Sequence, residues 1–181
     1  MSEELAVLRE VVRRLEEAGF SYMVTGSLAV SFYALPRLTR DIDIVLEIGA
    51  GDVAKLNGLF AGDFYIDQDA IQDGINRQSS FNIIHNASVI KVDFIVRKRD
   101  TYRKVEFKRR RKMIIDGIEV AVVAAEDLVL SKLVWAKDSH SELQMGDVRS
   151  VLKQAEDLDY QYMERWARRL GVVHAYHEAL R

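Results

Sequence analysis

The sequence predicts an α/β fold that carries a helical tail, and three observations predict it. Short apolar runs with two-residue alternation recur up to about Val123, and stretches with apolar residues at three- and four-residue spacing lie between them. From Ala124 onward the helical spacing is continuous. The expected organisation is an α/β core over residues 1–123 and a helical C-terminal region over 124–181 that packs on that core.

The elements follow in chain order. Leu5, Leu8, Val12 and Leu15 define an amphipathic helix between Ser2, a candidate N-cap, and Gly19, a candidate C-cap. Tyr22 to Thr25 reads as a short strand, Gly26-Ser27 as a tight turn, and Leu28 to Ala34 as a helix ended near Pro36. Asp41 to Glu47 alternates strictly, with Ile42 and Ile44 on one face and Asp41 and Asp43 on the other. Gly49 to Gly51 breaks this strand before a helix over Asp52 to Phe60. Ser80 to His85 and Val89 to Val96 are expected to form a hairpin through Asn86-Ala87, and Met113–Ile115 and Ile118–Val123 a second one through Asp116-Gly117. Helices are then expected at Glu126–Lys137, Met145–Glu156 and Tyr160–Leu170, with a short final turn over Val173–Leu180. Trp135, Trp166 and Tyr162 fall at helical spacing among apolar residues and read as core.

Composition narrows the chemistry. With 181 residues, 49% of them apolar, the chain can bury a substantial core. Its charged residues, 30% of the total, interrupt every apolar run well short of the roughly 18 residues of a membrane span, which excludes a membrane partner. The acidic opening Met1-Ser2-Glu3-Glu4 is unlike a basic export signal, so a cytoplasmic protein is expected. The absence of Cys removes disulfides, thiolate zinc sites, iron–sulfur clusters and thiol nucleophiles; any metal must be held by oxygen or imidazole. The net charge of -2 conceals a segregation: Arg97 to Lys112 carries ten basic residues against Asp100 and Glu106. Such a stretch suits a surface that faces a polyanion such as RNA or tRNA, or else forms a solvated strand pair and loop.

The chemistry concentrates at Asp41-Ile42-Asp43, whose two carboxylates point the same way about 7 Å apart along a strand. In Lys91-Val92-Asp93-Phe94, Asp93 again stands opposite the apolar face, and a sheet that sets it beside the pair creates a three-carboxylate cluster. At an effective dielectric near 20, like charges about 4 Å apart repel by about 4 kcal/mol per pair, which a divalent cation relieves. Hard oxygen donors without thiolates select Mg²⁺ or Mn²⁺. Gly26-Ser27, where a strand runs into a helix, offers backbone amides to a phosphate.

Gly26-Ser27, then Asp41-Ile42-Asp43-Ile44, then Val92-Asp93-Phe94 resembles the signature of the nucleotidyltransferase superfamily typified by DNA polymerase beta. Pro36-Arg37-Leu38-Thr39-Arg40 resembles the approach to the carboxylate pair in minimal nucleotidyltransferases and abortive-infection toxins similar to them. The resemblance covers residues 20 to 96. It implies a mixed sheet flanked by helices, a nucleoside triphosphate substrate, Gly26 and Ser27 on its phosphates with Arg37 and Thr39 nearby, Asp41 and Asp43 as metal ligands, and Asp93 as the third carboxylate. A looser similarity of Ala125–Leu133 and Gly146-Asp147-Val148 to the toxin-like branch implies Lys132 on the triphosphate and Asp147 in support. The blander reading of these two is an exposed lysine and a helix N-cap.

Two functions follow from the resemblance. One is a Mg²⁺-dependent nucleotidyltransferase, toxin-like, acting on an unidentified acceptor such as RNA and paired with an antitoxin-like partner. The other is a catalytically silent member of the same fold that binds nucleotide or another protein. His174 and His177, three residues apart without a third ligand nearby, suggest no metal site.

Overall fold

The computed structural model describes residues 2–34, 41–139 and 141–181. Helix α1 (Glu3–Glu17) is capped by Ser2, whose side chain accepts from the Leu5 amide, and buries Val7, Leu8, Val11, Val12 and Leu15. It leads through Gly19 into β1 (Tyr22–Thr25), which passes directly into α2 (Gly26–Tyr33). Strand β2 (Asp41–Leu46), a 3-10 turn at Ala50–Asp52 and α3 (Val53–Phe60) follow, close to the ranges the sequence predicts.

Next come β3 (Phe64–Tyr65), α4 (Gln68–Arg77), β4 (Ser80–His85) and β5 (Lys91–Val96). Sequence patterning does not foresee α4, which has a sparse apolar stripe and is set by its ends. The Asp67 side chain accepts from the amides of Asp69 and Ala70, and Gln78 ends the helix in the left-handed region. The β4–β5 connection is longer than a two-residue turn: the His85 amide bonds the Ile90 carbonyl and Val89 takes a positive φ of 57°.

The expectation that Arg97 to Lys112 is strand and loop is corrected. Thr101–Lys108 is helix α5, capped by Asp100 and burying Tyr102, Glu106 and Phe107, a helical spacing hidden by the surrounding charge. Only Arg111 and Lys112 enter β6 (Arg111–Ile115), which pairs with β7 (Ile118–Val122). Asp116 and Gly117 join them, both with positive φ, as a two-residue hairpin turn requires. The tail is α6 (Ala125–Ser139), α7 (Glu142–Gln154), α8 (Tyr160–Arg169) and α9 (Val173–Ala179).

The described strands form one mixed sheet in the order β3-β4-β5-β2-β1-β7-β6. Pairs β2–β5 and β1–β7 are parallel and the others antiparallel. Ile42, Ile44, Leu46, Val92, Phe94, Phe81 and Ile83 line one face and are buried. Phe60 of α3 stacks on Phe94 there, and Arg14 of α1 lies over Phe60 and Phe64. On the opposite face α2 packs against β1 and β2 and is backed by α6 and α7. Over β4 and β5 that second face is less covered: Ser80 and Asn82 are exposed, and Lys91, Asp93 and Ile95 are half-buried. Buried residues of α6 to α9 belong to the same apolar cluster as the sheet. Tyr162 joins that core, whereas Trp135, expected inside, is 65% exposed.

Candidate active site

The parallel pairing of β2 with β5 sets Asp43 directly opposite Asp93 and Asp41 opposite Lys91. Paired residues project from the same side of a sheet, so all three carboxylates stand on the less covered face. Asp43 is also opposite Thr25 on β1, which brings it against the turn into α2.

Gly26 holds that turn with φ +68°. A Cβ built on it would lie 2.6 Å from Asp43 Cγ and 2.8 Å from Asp43 Cβ, and closer still to the carboxylate oxygen. Any side chain here would displace Asp43. Sequence reasoning assigns Gly26 to close approach of a phosphate; in the structure the adjacent space is taken by the Asp43 carboxylate, so the glycine first serves the approach of the acid to the start of α2. Ser27 occupies the first turn of α2, and its carbonyl lies 3.5 Å from the Ser31 hydroxyl.

Burial pushes Asp43 up to about 6, and the neighbouring charges of Asp93 and then Asp41 push it the same way, while Lys132 and Lys91 pull it down. Lys91 donates to Asp93 at 2.7 Å and stands 3.8 Å from Asp41. Its ammonium accordingly holds its proton more tightly than usual, chiefly through the bond to Asp93. No three acidic or imidazole side chains among the described residues gather closely enough to enclose a metal ion. The donor set still fits a hard divalent cation: it is all oxygen, lies on one face, and leaves Asp43 short of compensating charge.

Lys132 and Asp147 come together. Lys132 is 5% exposed and donates at 2.8 Å to both Gln144 Oε1 and Asp147 Oδ2. The exposed-lysine and N-cap readings are therefore set aside: Asp147 lies within α7, whose N-cap is Ser141. This ion pair ties α6 to α7, and its ammonium is close enough to act on Asp43. Gln144, the further partner, carries no sequence signal beyond its place in the first turn of a helix. Arg37 and Thr39 lie outside the described residues.

The basic stretch is largely committed within the chain. Arg97 pairs with Glu47, Arg103 with Glu106 at 2.8 Å, and Lys112 with Glu119 at 2.5 Å. Arg109 meets Asp127 at 2.8 Å and Glu126 at 3.3 Å, and Arg111 meets Glu126 at 3.4 Å. Lys98, Arg99, Lys104 and Lys108 are exposed and have no acidic partner among the described residues.

No protein-family model matches the chain, and no curated protein matches it by sequence. Solved structures do. ANT(2'')-Ia in complex with adenylyl-2''-tobramycin is similar with a TM-score of 0.63 at 11% identity, over 94% of this chain and 98% of that one. An antigenic nucleotidyltransferase-like protein from Paracoccidioides brasiliensis gives 0.57 at 17% identity, over 99% and 93%. The lincosamide antibiotic adenylyltransferase LnuA, lincomycin-bound, gives 0.51 at 13% identity, over 83% and 96%. With its mixed sheet, its flanking helices and these likenesses, the chain has a nucleotidyltransferase fold.

Proposed function

We propose that the protein is a Mg²⁺- or Mn²⁺-dependent nucleotidyltransferase that moves a nucleoside monophosphate from a nucleoside triphosphate to a hydroxyl acceptor. The observation that carries this reading is the register of Asp43 on Asp93, with Asp41 on the same face and Asp43 against Gly26. Asp41 and Asp43 would hold the metal, with Asp93 beside them. When bound there, the metal would neutralise charge and polarise the phosphoryl oxygens. Asp93, opposite the exposed Asn82 on β4, would take the proton of an acceptor hydroxyl lying over that part of the sheet. The first amides of α2 face the phosphates, and the buried Lys132 adds positive charge behind Asp43.

For the acceptor we favour a small hydroxyl-bearing molecule over RNA. The internal pairing of Arg97, Arg103, Arg109, Arg111 and Lys112 leaves a reduced basic surface, and two structural neighbours are described with antibiotics or their adenylyl products. An RNA or tRNA acceptor would rest on Lys98, Arg99, Lys104 and Lys108, and a toxin-like role beside an antitoxin-like partner rests on the sequence resemblance alone. No helix among the described residues is long and apolar enough to cross a membrane. We place the activity in the cytoplasm, with its triphosphate supply. The test is incubation with α-labelled triphosphates and Mg²⁺, offering total RNA in one arm and a panel of aminosugars and polyols in the other. Label transferred by the wild type and lost with Asp93→Asn supports the reading. Transfer unaffected by Asp93→Asn and by Asp43→Asn would refute it.

A further inference from the structure

Lys91 is the side chain that the proposed chemistry does not use, yet it stands in the middle of it. It precedes Asp93 by two residues on β5 and faces Asp41 across the β2–β5 pairing. Its Nζ contacts Asp93 Oδ2 at 2.7 Å and lies 3.8 Å from Asp41 Oδ1, so one ammonium serves carboxylates on two strands. The side chain is 40% exposed, and its flexible stem can leave without disturbing the core. The third carboxylate, Asp43, gains less from it, being buried against Gly26.

We infer that Lys91 is a resident counter-cation that holds the carboxylate face closed to free divalent metal and makes the site take its metal together with the triphosphate. The inference rests on the reading of Asp41, Asp43 and Asp93 as the metal-holding group. A dication held by Asp41 and Asp43 would lie beside the ammonium that bonds Asp93, and the two repel, so Lys91 must move aside. If a bare ion arrives, the displaced ammonium loses its partner and sits beside a dication, which opposes binding. If the ion arrives on a triphosphate, the ammonium exchanges a carboxylate for a phosphate oxygen and the charges remain matched. Asp93 is at the same moment released to accept the acceptor's proton. The coupling is reciprocal: the factor by which nucleotide strengthens metal binding is the factor by which metal strengthens nucleotide binding.

The test measures binding with the full chain and needs no turnover. Free Mn²⁺ is titrated by electron paramagnetic resonance without nucleotide, and Mn²⁺–ATP by calorimetry, for wild type, Lys91→Met and Lys91→Arg. Half-exposed ion pairs of this kind are worth a few tenths to one kcal/mol, so Lys91→Met should bind free Mn²⁺ about two- to fivefold more tightly. It should bind Mn²⁺–ATP no better, or more weakly, and Lys91→Arg should resemble the wild type. Equal or weaker binding of free Mn²⁺ by Lys91→Met overturns the inference. Asp43→Asn distinguishes the two levels. If it abolishes Mn²⁺ binding while Lys91→Met changes nothing, the metal site stands and only the role of Lys91 falls. If neither wild type nor Lys91→Met binds Mn²⁺ with or without ATP, both fall. Far-ultraviolet circular dichroism and melting of each variant in chelator establish that it is folded, and Lys91→Gln replaces Lys91→Met should the latter aggregate.

Discussion

Asp43→Asn should stabilise the metal-free protein, although it removes a residue at the centre of the proposed chemistry. Burial and the charges of Asp93 and Asp41 raise the Asp43 carboxyl from its ordinary 3.8 to about 6. A shift of that size corresponds to about 3 kcal/mol. The sign follows from proton binding: between about pH 4 and pH 6 the folded state holds a proton that the unfolded state has released, so stability falls as pH rises through that window. At pH 8 the full cost is present. The amide carries no charge, but its new N–H groups need partners beside Gly26, which returns about 1 kcal/mol of the gain. A net gain of about 2 kcal/mol at pH 8 is expected, or about 4–8 °C in melting temperature for a chain of this length, passing through zero between about pH 4 and pH 5 and giving way below that to the ~1 kcal/mol cost of the amide. Urea titrations from pH 4 to pH 8 in chelator measure it. A variant less stable than the wild type at pH 8, or a difference that does not change with pH, would refute the reasoning. Saturating Mg²⁺–ATP should reverse the order, because only the wild type gains about 2.7 kcal/mol at a hundredfold excess over Kd.

Three further expectations are independent of that one. Gly26→Val should lower the stability of the ligand-free protein by several degrees, because the new side chain meets Asp43, whereas Ser27→Ala should leave it nearly unchanged and weaken triphosphate binding by about 1 kcal/mol, read by thermal shift and calorimetry. Asp147→Ala strands the buried Lys132 and should cost about 3 kcal/mol or more in urea denaturation, with Lys132→Met restoring part of the loss in the double variant. Arg109→Ala removes the guanidinium that meets Asp127 and Glu126, and should destabilise the chain by about 3 kcal/mol while leaving Mn²⁺ binding intact.

The central site was legible because its signals are local. Strict alternation in Asp41–Leu46 and Lys91–Val96 fixes which side chains share a face, so once those strands are neighbours with their apolar faces aligned, Asp93 stands on the same face as Asp41 and Asp43. The hairpin at Asp116-Gly117 was legible for the same reason, since positive φ at both positions selects those residues. What the sequence concealed depends on distant partners. Helix α5 buries Glu106, a residue that patterning counts as polar, because Arg103 and the Ser131 hydroxyl reach it from one turn away and from α6. The pairing of Lys132 with Asp147 and Gln144 spans two helices and leaves no periodic trace in either. The obstruction at Gly26 comes from a residue on another strand, so the glycine looked like phosphate grammar when its nearest neighbour is an acid.

The two sets of withdrawn carboxylates in this chain are treated differently, and the contrast separates support from chemistry. Asp127 is fully buried, and burial raises its pKa, but the next influences are bonds from Tyr162 at 2.5 Å and Arg109 at 2.8 Å that pull it back. Glu106 likewise has Arg103 and Ser131. These acids engage Arg103 and Arg109 of the basic stretch and pin α5, α6 and α8 to one another; their charge is spent. At Asp43 burial is followed instead by two like charges, and of the two lysines that pull it back, Lys132 is bonded to Asp147 and Lys91 to Asp93. Arg103 and Arg109 serve the first group of acids, and neither acts on Asp43. The raised carboxyl of Asp43, set against a glycine that admits no side chain and beside a lysine that can move aside, is what a metal-bound triphosphate would complete.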